Sequence, residues 1–394
     1  MEKVKLKDIA EFIKTGKTPP TSQSQYFDGP INWYTPGDFN NGKKLKTSKR
    51  TLSQKALDEK KAITFPKDTL LITCIGDIGK TGISQEYCSS NQQITAIKPK
   101  DIIDVNYLYY WFLTNKNVLA NIANNAVVPI LNNKTLQEID FNYPPLATQQ
   151  RIAAILDQAD AIIQNNRAIV QKYDALTQSL FLDMFGDPVK NEKGWEKRKL
   201  NDFLEVLVDV GSNGGNDWVS ANIKMKDEED YALMIRTVNL NKNDFENNLK
   251  YVSEETYNLF KKTKVYGGEI IMNKIGSAGE FWLMPYLNRP VSLGLNQLMM
   301  TFKNLDKFYF YFYFSTNYGK KLINSKLNGA TTKSITKTAL RDLDILYPPM
   351  ELQNQFAERV AMIEAQKQQA QLELAKSEEL FASLLQRAFN GELN

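Results

Sequence analysis

The segment TLLITCIGDIGKTG, Thr69 to Gly82, ends in Gly79-Lys80-Thr81, residue types that cradle a nucleotide phosphate. A phosphate-binding loop needs GxxxxGK[ST] between a strand and a helix, so that backbone N–H groups and a lysine converge on one anion. Counting back from Gly79, the first glycine falls on Cys74, and the residues after Thr81 read as a strand. A second copy supplies the control. Ile275-Gly276-Ser277-Ala278-Gly279 repeats Ile75-Gly76-Asp77-Ile78-Gly79, and Glu280-Phe281 stand where Lys80-Thr81 stand. Common to both copies is strand, IGxxG, strand, which describes a glycine-permitted hairpin. The pattern argues against an ATP site. Lys80 reads instead as a basic hairpin tip, suited to a phosphate or a base edge.

Other chemistries meet the same test. The chain has no histidine, which removes Ser-His-Asp catalysis and His-ligated metals. Cys74 and Cys88 are the only cysteines and lack CxxC spacing, so neither a disulfide scaffold nor a zinc ribbon is expected. An adenine methyltransferase needs Asn or Asp before Pro-Pro-aromatic, but Tyr143 precedes Pro144-Pro145 and Leu146 follows. No carboxylate-lysine cluster of the nuclease kind recurs in both halves. Asp28, Asp38, Asp68 and Asp77 read as turn and cap residues.

The elements that position these residues are duplicated. Lys5-Leu6-Lys7-Asp8 matches Lys199-Leu200-Asn201-Asp202, Asn91-Gln92 matches Asn296-Gln297, and Tyr143-Pro144-Pro145-Leu146 matches Tyr347-Pro348-Pro349-Met350. Each half is a mixed strand-and-helix segment, a Tyr-Pro-Pro stop and a long helix. VNYLYYWF, from Val105, and FYFYFYF, from Phe308, hold equivalent places and read as helices with core aromatics. After each Pro-Pro an apolar seam alternates by four and three. In the first copy it runs Ile152, Leu156, Ala159, Ile163, Asn166, Val170, Tyr173, Thr177, Leu180, Met184. In the second it runs Phe356, Val360, Ile363, Lys367, Ala370, Leu374, Ser377, Phe381, Leu384, Ala388. Two such helices in one chain can bury their seams by pairing antiparallel. Asn166 and Lys367 either fix the register or sit at a solvated edge of the seam.

The expected fold class is therefore α+β: two mixed α/β domains, two long antiparallel coiled-coil helices and a pseudo-twofold repeat. The domains are expected at 1–142 and 187–346, with helical segments at 143–186 and 347–394. The net charge of +4 is uneven. Residues 1–142 carry 19 basic against 14 acidic side chains and residues 185–345 carry 23 against 20, while both helical segments are slightly acidic. Locally basic domains suit a polyanion. No secretory signal or membrane span is visible, and a cytoplasmic location is expected.

The order and duplication of these motifs resemble the specificity subunit of Type I restriction–modification systems, over essentially the whole chain. The resemblance rests on LKDIAEFIKTGKTPPTS (from Leu6), INWYTPGDF (Ile31 to Phe39), Gly194-Trp195, the IGxxG hairpins, the Asn-Gln pairs and YPPLATQQRIAAIL (Tyr143 to Leu156). It implies a non-catalytic, DNA-reading subunit whose two target-recognition domains each read half of a bipartite site. It also implies helices that set the unread spacer and dock two methyltransferase subunits, with restriction and translocase subunits added. S-adenosylmethionine, ATP and Mg are expected on those partners, and no cofactor in this chain. The second copy departs from the first. Asp209 to Met234 is longer and richer in Gly and Asn, and MIRTVNL, from Met234, stands in for WYTPGDF.

Base edges are read by polar side chains on rigid turns. The candidates in the first domain are Lys17, Thr18, Thr35, Asp38, Lys80, Thr81, Gln92 and Gln93. In the second they are Arg236, Thr237, Asn239, Lys274, Ser277, Gln297, Lys333 and Ser334. Helix pairing and partner docking are expected from Ile152, Leu156, Ile163, Asn166, Val170, Tyr173, Leu180, Phe356, Val360, Ile363, Leu374, Phe381 and Leu384. Two alternatives stand beside this reading: a fused methyltransferase or nuclease, which lacks its motifs, and a coiled-coil scaffold without DNA specificity.

Overall fold

A computed structural model describes residues 2–39, 42–123 and 128–393. It forms two compact units, Met1–Ala168 with Gln371–Asn394, and Ile169–Ala370.

Unit 1 contains strands β1 (Glu2–Lys5), β2 (Ala10–Thr15), β3 (Phe27–Tyr34), β4 (Lys44–Leu45), β5 (Thr51–Leu52), β6 (Thr64–Phe65), β7 (Leu70–Thr73), β8 (Thr81–Ser84), β9 (Cys88–Ser90), β10 (Ile94–Pro99) and β11 (Asp140–Tyr143). Its helices are α1 (Leu6–Ile9), α2 (Gln54–Asp58), α3 (Val105–Thr114), α4 (Lys116–Ile122), α5 (Asn133–Gln137) and the first part of α6 (Leu146–Phe185). The sheets run β2-β10-β7-β8-β4, β5-β3-β9-β6 and β1-β11. β7 and β8 are the arms of the IGxxG hairpin, with Ile72 opposite Thr81. Gly76 and Gly79 turn it at φ 79° and 89°, a region where a Cβ is strained. The aromatic run is helical because Asp104 caps it, accepting from the N–H groups of Asn106 and Tyr107 at 2.8 and 2.9 Å. Tyr107, Tyr110 and Phe112 then fill one core with Leu70, Ile72, Ile152, Leu156 and, from the last helix, Ala388.

Unit 2 repeats the plan with β12 (Glu196–Lys199), β13 (Leu204–Asp209), β14 (Ala232–Met234), β15 (Tyr251–Val252), β16 (Lys264–Val265), β17 (Ile270–Asn273), β18 (Phe281–Leu283), β19 (Val291–Ser292), β20 (Gln297–Phe302) and β21 (Asp344–Tyr347). Its helices are α7 (Asn216–Asn222), α8 (Thr237–Lys242), α9 (Glu254–Leu259), α10 (Lys307–Ser315), α11 (Asn317–Asn324), α12 (Lys337–Arg341) and the first part of α13 (Met350–Phe389). The sheets β13-β20-β17-β18, β15-β14-β19-β16 and β12-β21 follow the strand order of unit 1, one edge strand excepted. Among the described residues, β4 alone has no counterpart. MIRTVNL does occupy the place of WYTPGDF. β14 pairs parallel with β19 as β3 does with β9, and each ends in a capped turn, Arg236 with Asn239 and Thr35 with Asp38.

One sequence correspondence needs correction. Thr73 and Asn273 are equivalent, since the N–H groups of Gly79 and Gly279 donate to their carbonyls. Ladder register sets Ile94 against Thr73 and Gln297 against Asn273. Gln297 therefore matches Ile94, not Gln92, and the two Asn-Gln pairs are offset by two residues. Strand pairing fixes this register, and a dipeptide match does not sense it.

Both long helices span 40 residues. Within unit 1, Asn166 Nδ2 donates to Ser377 Oγ at 3.3 Å and Arg167 pairs with Glu378 at 2.6 Å. Within unit 2, Phe181 and Phe185 pack edge-on against Phe356, and Lys367 pairs with Asp174 at 2.6 Å. Later residues of α6 meet earlier residues of α13, so the pairing in each unit is antiparallel. Leu156, Ile163, Phe356 and Val360 are buried, and Val170, Tyr173, Leu180, Ile363, Leu374, Phe381 and Leu384 are half-buried. Asn166 and Lys367 are half-buried, each with a cross-helix partner.

Sequence reading missed a buried glutamine at the root of each helix. Gln149 donates to the carbonyls of Ile102 and Pro144 and accepts from the N–H of Asp104. Gln353 likewise joins Pro348 to the N–H of Asp306. Both are fully buried, tying the Pro-Pro stop to the cap of the aromatic helix. Their shared offset from the Pro-Pro pair was the available signal.

Candidate nucleic-acid interface

Backbone pairing gathers the unit 1 candidates at one end of the sheets. Lys17 N–H donates to the Ser90 carbonyl, Asn91 N–H to Tyr34, Cys74 N–H to Gln93 and Thr73 N–H to Lys80. Four separate segments therefore converge. Thr18 Oγ1 donates to Gln92 Oε1, and Gln92 is exposed. Asn91 Nδ2 donates to Gln93 Oε1 at 2.9 Å. Lys17 Nζ reaches the Lys60 carbonyl at 2.7 Å. Asp38 shapes its turn, with one carboxylate oxygen taking Thr35 N–H and Oγ1 and the other taking Lys49 N–H. Lys80 pairs with Asp77 at 2.9 Å, and that hydrogen bond holds the Asp77 carboxyl below its ordinary range. Half-buried Thr81 opens β8.

Unit 2 builds the same end from different side chains. Thr237 Oγ1 donates to Asn273 Oδ1 at 2.8 Å, and Lys274 N–H donates to the Asn296 carbonyl. Lys333 and Ser334 lie beside the hairpin, since Gly276 N–H donates to Lys333 and Ile275 bridges to Ser334. Ser277 and Lys333 are exposed. Asn239 and Gln297 are buried, and their side-chain oxygens hold turns by accepting from Arg236 N–H and Gly294 N–H. Arg236 Nε and Gln297 Nε2 are buried without a partner, and both residues line a cleft of about 290 Å³ walled by Met225, Met234 and Leu295.

The two units differ in chemistry at one equivalent position. In unit 1, Thr15 and Thr95 hydroxyls converge on Asn133 Oδ1 at 3.0 and 3.1 Å. In unit 2 the places of Thr15 and Asn133 are taken by Asp209 and Lys337. Asp209 accepts from Lys274 at 2.7 Å, from Lys337 at 2.9 Å and from Ser212 at 2.9 Å. Burial alone would raise its carboxyl. The bonds from Lys274, Lys337 and Ser212 outweigh burial and hold it well below the ordinary range. Sequence reading picked out Lys274 but not Asp209 or Lys337, which lie far apart in the chain.

The fold is that of a duplicated α+β chain, each unit building an equivalent polar, turn-built end. The chain belongs to the family described as Type I restriction modification DNA specificity domain, whose model matches residues 1–172 and 192–374. It is 35% identical over 228 residues to the Type I restriction enzyme MjaIX specificity subunit of Methanocaldococcus jannaschii, a match covering 53% of this chain and 52% of that one. The chain thus spans about half the length of that relative. It is 22% identical over 397 residues to the MjaVIII specificity subunit of the same organism, covering 95% and 90%. The fold matches the Type I restriction-modification S subunit from M. genitalium with a TM-score of 0.58 at 13% identity, over 98% and 95% of the two chains. Among the described residues, no helix is long and apolar enough to cross a membrane.

Proposed function

We propose that this chain gives a Type I restriction–modification complex its DNA sequence specificity and performs no catalysis itself. Each globular domain reads one half of a bipartite, asymmetric double-stranded site. The paired helices set the unread spacer and dock two methyltransferase subunits, and restriction and translocase subunits join that assembly. S-adenosylmethionine, ATP and Mg belong to those partners, and the complex acts in the cytoplasm. One observation carries this reading: the same scaffold is built twice, with different polar residues at its equivalent ends. Gln92 and Thr18 mark the first end, and Thr237, Lys274 and Lys333 mark the second. Rigid turns bearing different donors and acceptors suit two different half-sites.

The test is a methylome read by single-molecule sequencing. The chain and its neighbouring methyltransferase would be co-expressed in an unmethylated host, after co-purification has established that they form a complex. A split adenine motif that appears only when this chain is present is the expected result. Identical methylation without the chain would place specificity elsewhere.

A further inference from the structure

β4 is the strand that unit 2 lacks, and it opens a strongly basic segment. Residues 43–50 (KKLKTSKR) contain Lys43, Lys44, Lys46, Lys49 and Arg50 and no carboxylate. The register β5–β3 against β15–β14 equates them with residues 243–250, which contain Asp244, Glu246 and a single cation, Lys250. The two segments therefore carry +5 and −1.

The segment is fixed at both ends. β4 pairs parallel with β8, and Leu45 is buried against Gly82, where an added Cβ would meet Leu45 Cγ at 2.6 Å. Lys43 is buried, paired with Asp157, and lies 5.1 Å from the Tyr110 ring centroid. At the far end, Lys49 N–H donates to Asp38 and Ser48 N–H to Asn32 Oδ1, which fastens the segment to the Thr35 turn. Burial of Leu45 between exposed Lys44 and Lys46 puts both lysines on one face of the strand. Arg50 stacks 4.3 Å from the Phe27 ring centroid. Lys44, Lys46 and Lys49 are exposed and have no ion pair among the described residues. Carboxylates of Asp38, Asp157 and Asp160 line the neighbouring cleft, but Asp38 and Asp157 are already engaged.

We propose that residues 43–50 form a phosphate-contacting arm peculiar to the first recognition domain, gripping the DNA backbone beside its half-site through Lys44, Lys46 and Lys49. This rests on the DNA-reading function proposed above. Three exposed cations, held on rigid backbone and fastened to a candidate reading turn, match what sequence-independent backbone contacts require. Orientation on DNA then depends more on the first domain than on the second.

The experiment measures binding of the full chain to duplex DNA carrying its methylome-defined site, by fluorescence anisotropy between 50 and 200 mM KCl. The triple variant K44Q/K46Q/K49Q is compared with wild type and with a control, K320Q/K326Q/K376Q, after circular dichroism shows that all three are folded. Each lost phosphate contact removes about 0.9 from the slope of log K against log salt. The arm predicts a slope about 2.7 shallower, so that across this range wild type loses about 40-fold more affinity than the triple variant. The control keeps the wild-type slope, and the methylated motif stays the same. A triple variant with the wild-type slope overturns the arm and leaves the DNA reading intact. Loss of methyltransferase capture with an unchanged slope overturns it in favour of a protein-docking surface. A wild type that does not bind DNA overturns the DNA reading itself.

Discussion

Asp209→Asn tests whether the buried ionic node organises the second recognition domain. The Asp209 side chain is 9% exposed, and both oxygens accept from lysine ammonium groups. An asparagine amide cannot serve both, and it leaves Lys274 and Lys337 as neighbouring like charges. Losing one partner of a fully buried pair costs about 3–5 kcal/mol. Here the lysines are 26% and 33% exposed and can rehydrate, which reduces the loss. A destabilisation of about 2 kcal/mol at pH 6 follows, a roughly 30-fold rise in local opening. The pH dependence has a definite sign. The folded carboxyl titrates below its unfolded value of about 3.9, so its stabilisation is complete above that value and is lost as pH falls toward the depressed one. The gap between variant and wild type therefore narrows from pH 6 to pH 3. Native-state hydrogen exchange of the β13 and β20 amides reads it directly. Thr15→Val in unit 1 removes a neutral bond at the equivalent place and should cost about 1 kcal/mol with no pH dependence. An Asp209→Asn gap below about 0.5 kcal/mol, or one constant down to pH 3, would refute the reasoning.

Burial pushes the Cys74 thiol up to about 11 and the Cys88 thiol up to about 12, so neither should react with iodoacetamide at pH 8 until the chain is unfolded, as mass spectrometry would show. Gln149→Leu leaves the Asp104 N–H and the Ile102 and Pro144 carbonyls without their partner, and a loss of about 3 kcal/mol is expected in urea unfolding of unit 1. Inserting one helical turn of four residues between Gln164 and Lys172 adds about 6 Å and should lengthen the methylated motif's spacer by about one to two base pairs. An unchanged motif in a folded insertion variant counts against the helices as a ruler.

Local and repeated features were legible in the sequence. Two IGxxG copies announced the hairpins, because positive φ at Gly76 and Gly276 is a local demand. The aromatic run from Phe308, which alone could pass for a strand, read as a helix through its counterpart from Val105, the seam followed from its spacing, and the order of motifs pointed to the family. What escaped were relations that only pairing creates. A two-residue slip between Gln92 and Gln297 is invisible until a ladder fixes it. Gln149 resembles any polar residue near a helix start until two carbonyls and an N–H close around it. The contrast between Thr15 with Asn133 and Asp209 with Lys337 depends on residues that are distant in the chain. The candidate reading turns were legible as loops, but their convergence at one end came from strand order.

Unit 1 is discontinuous, and its core includes Phe381, Leu384, Leu385, Ala388 and Phe389. Unit 2 draws on one unbroken stretch, Ile169–Ala370. A ribosome therefore finishes the parts in an inverted order. The later domain has its full complement of residues first, while the earlier one waits with an uncovered aromatic face for residues 371–393. At about 5–20 residues per second that wait lasts about 10–40 s. A message cut short after residue 370 would thus damage the domain translated first and spare the one translated second.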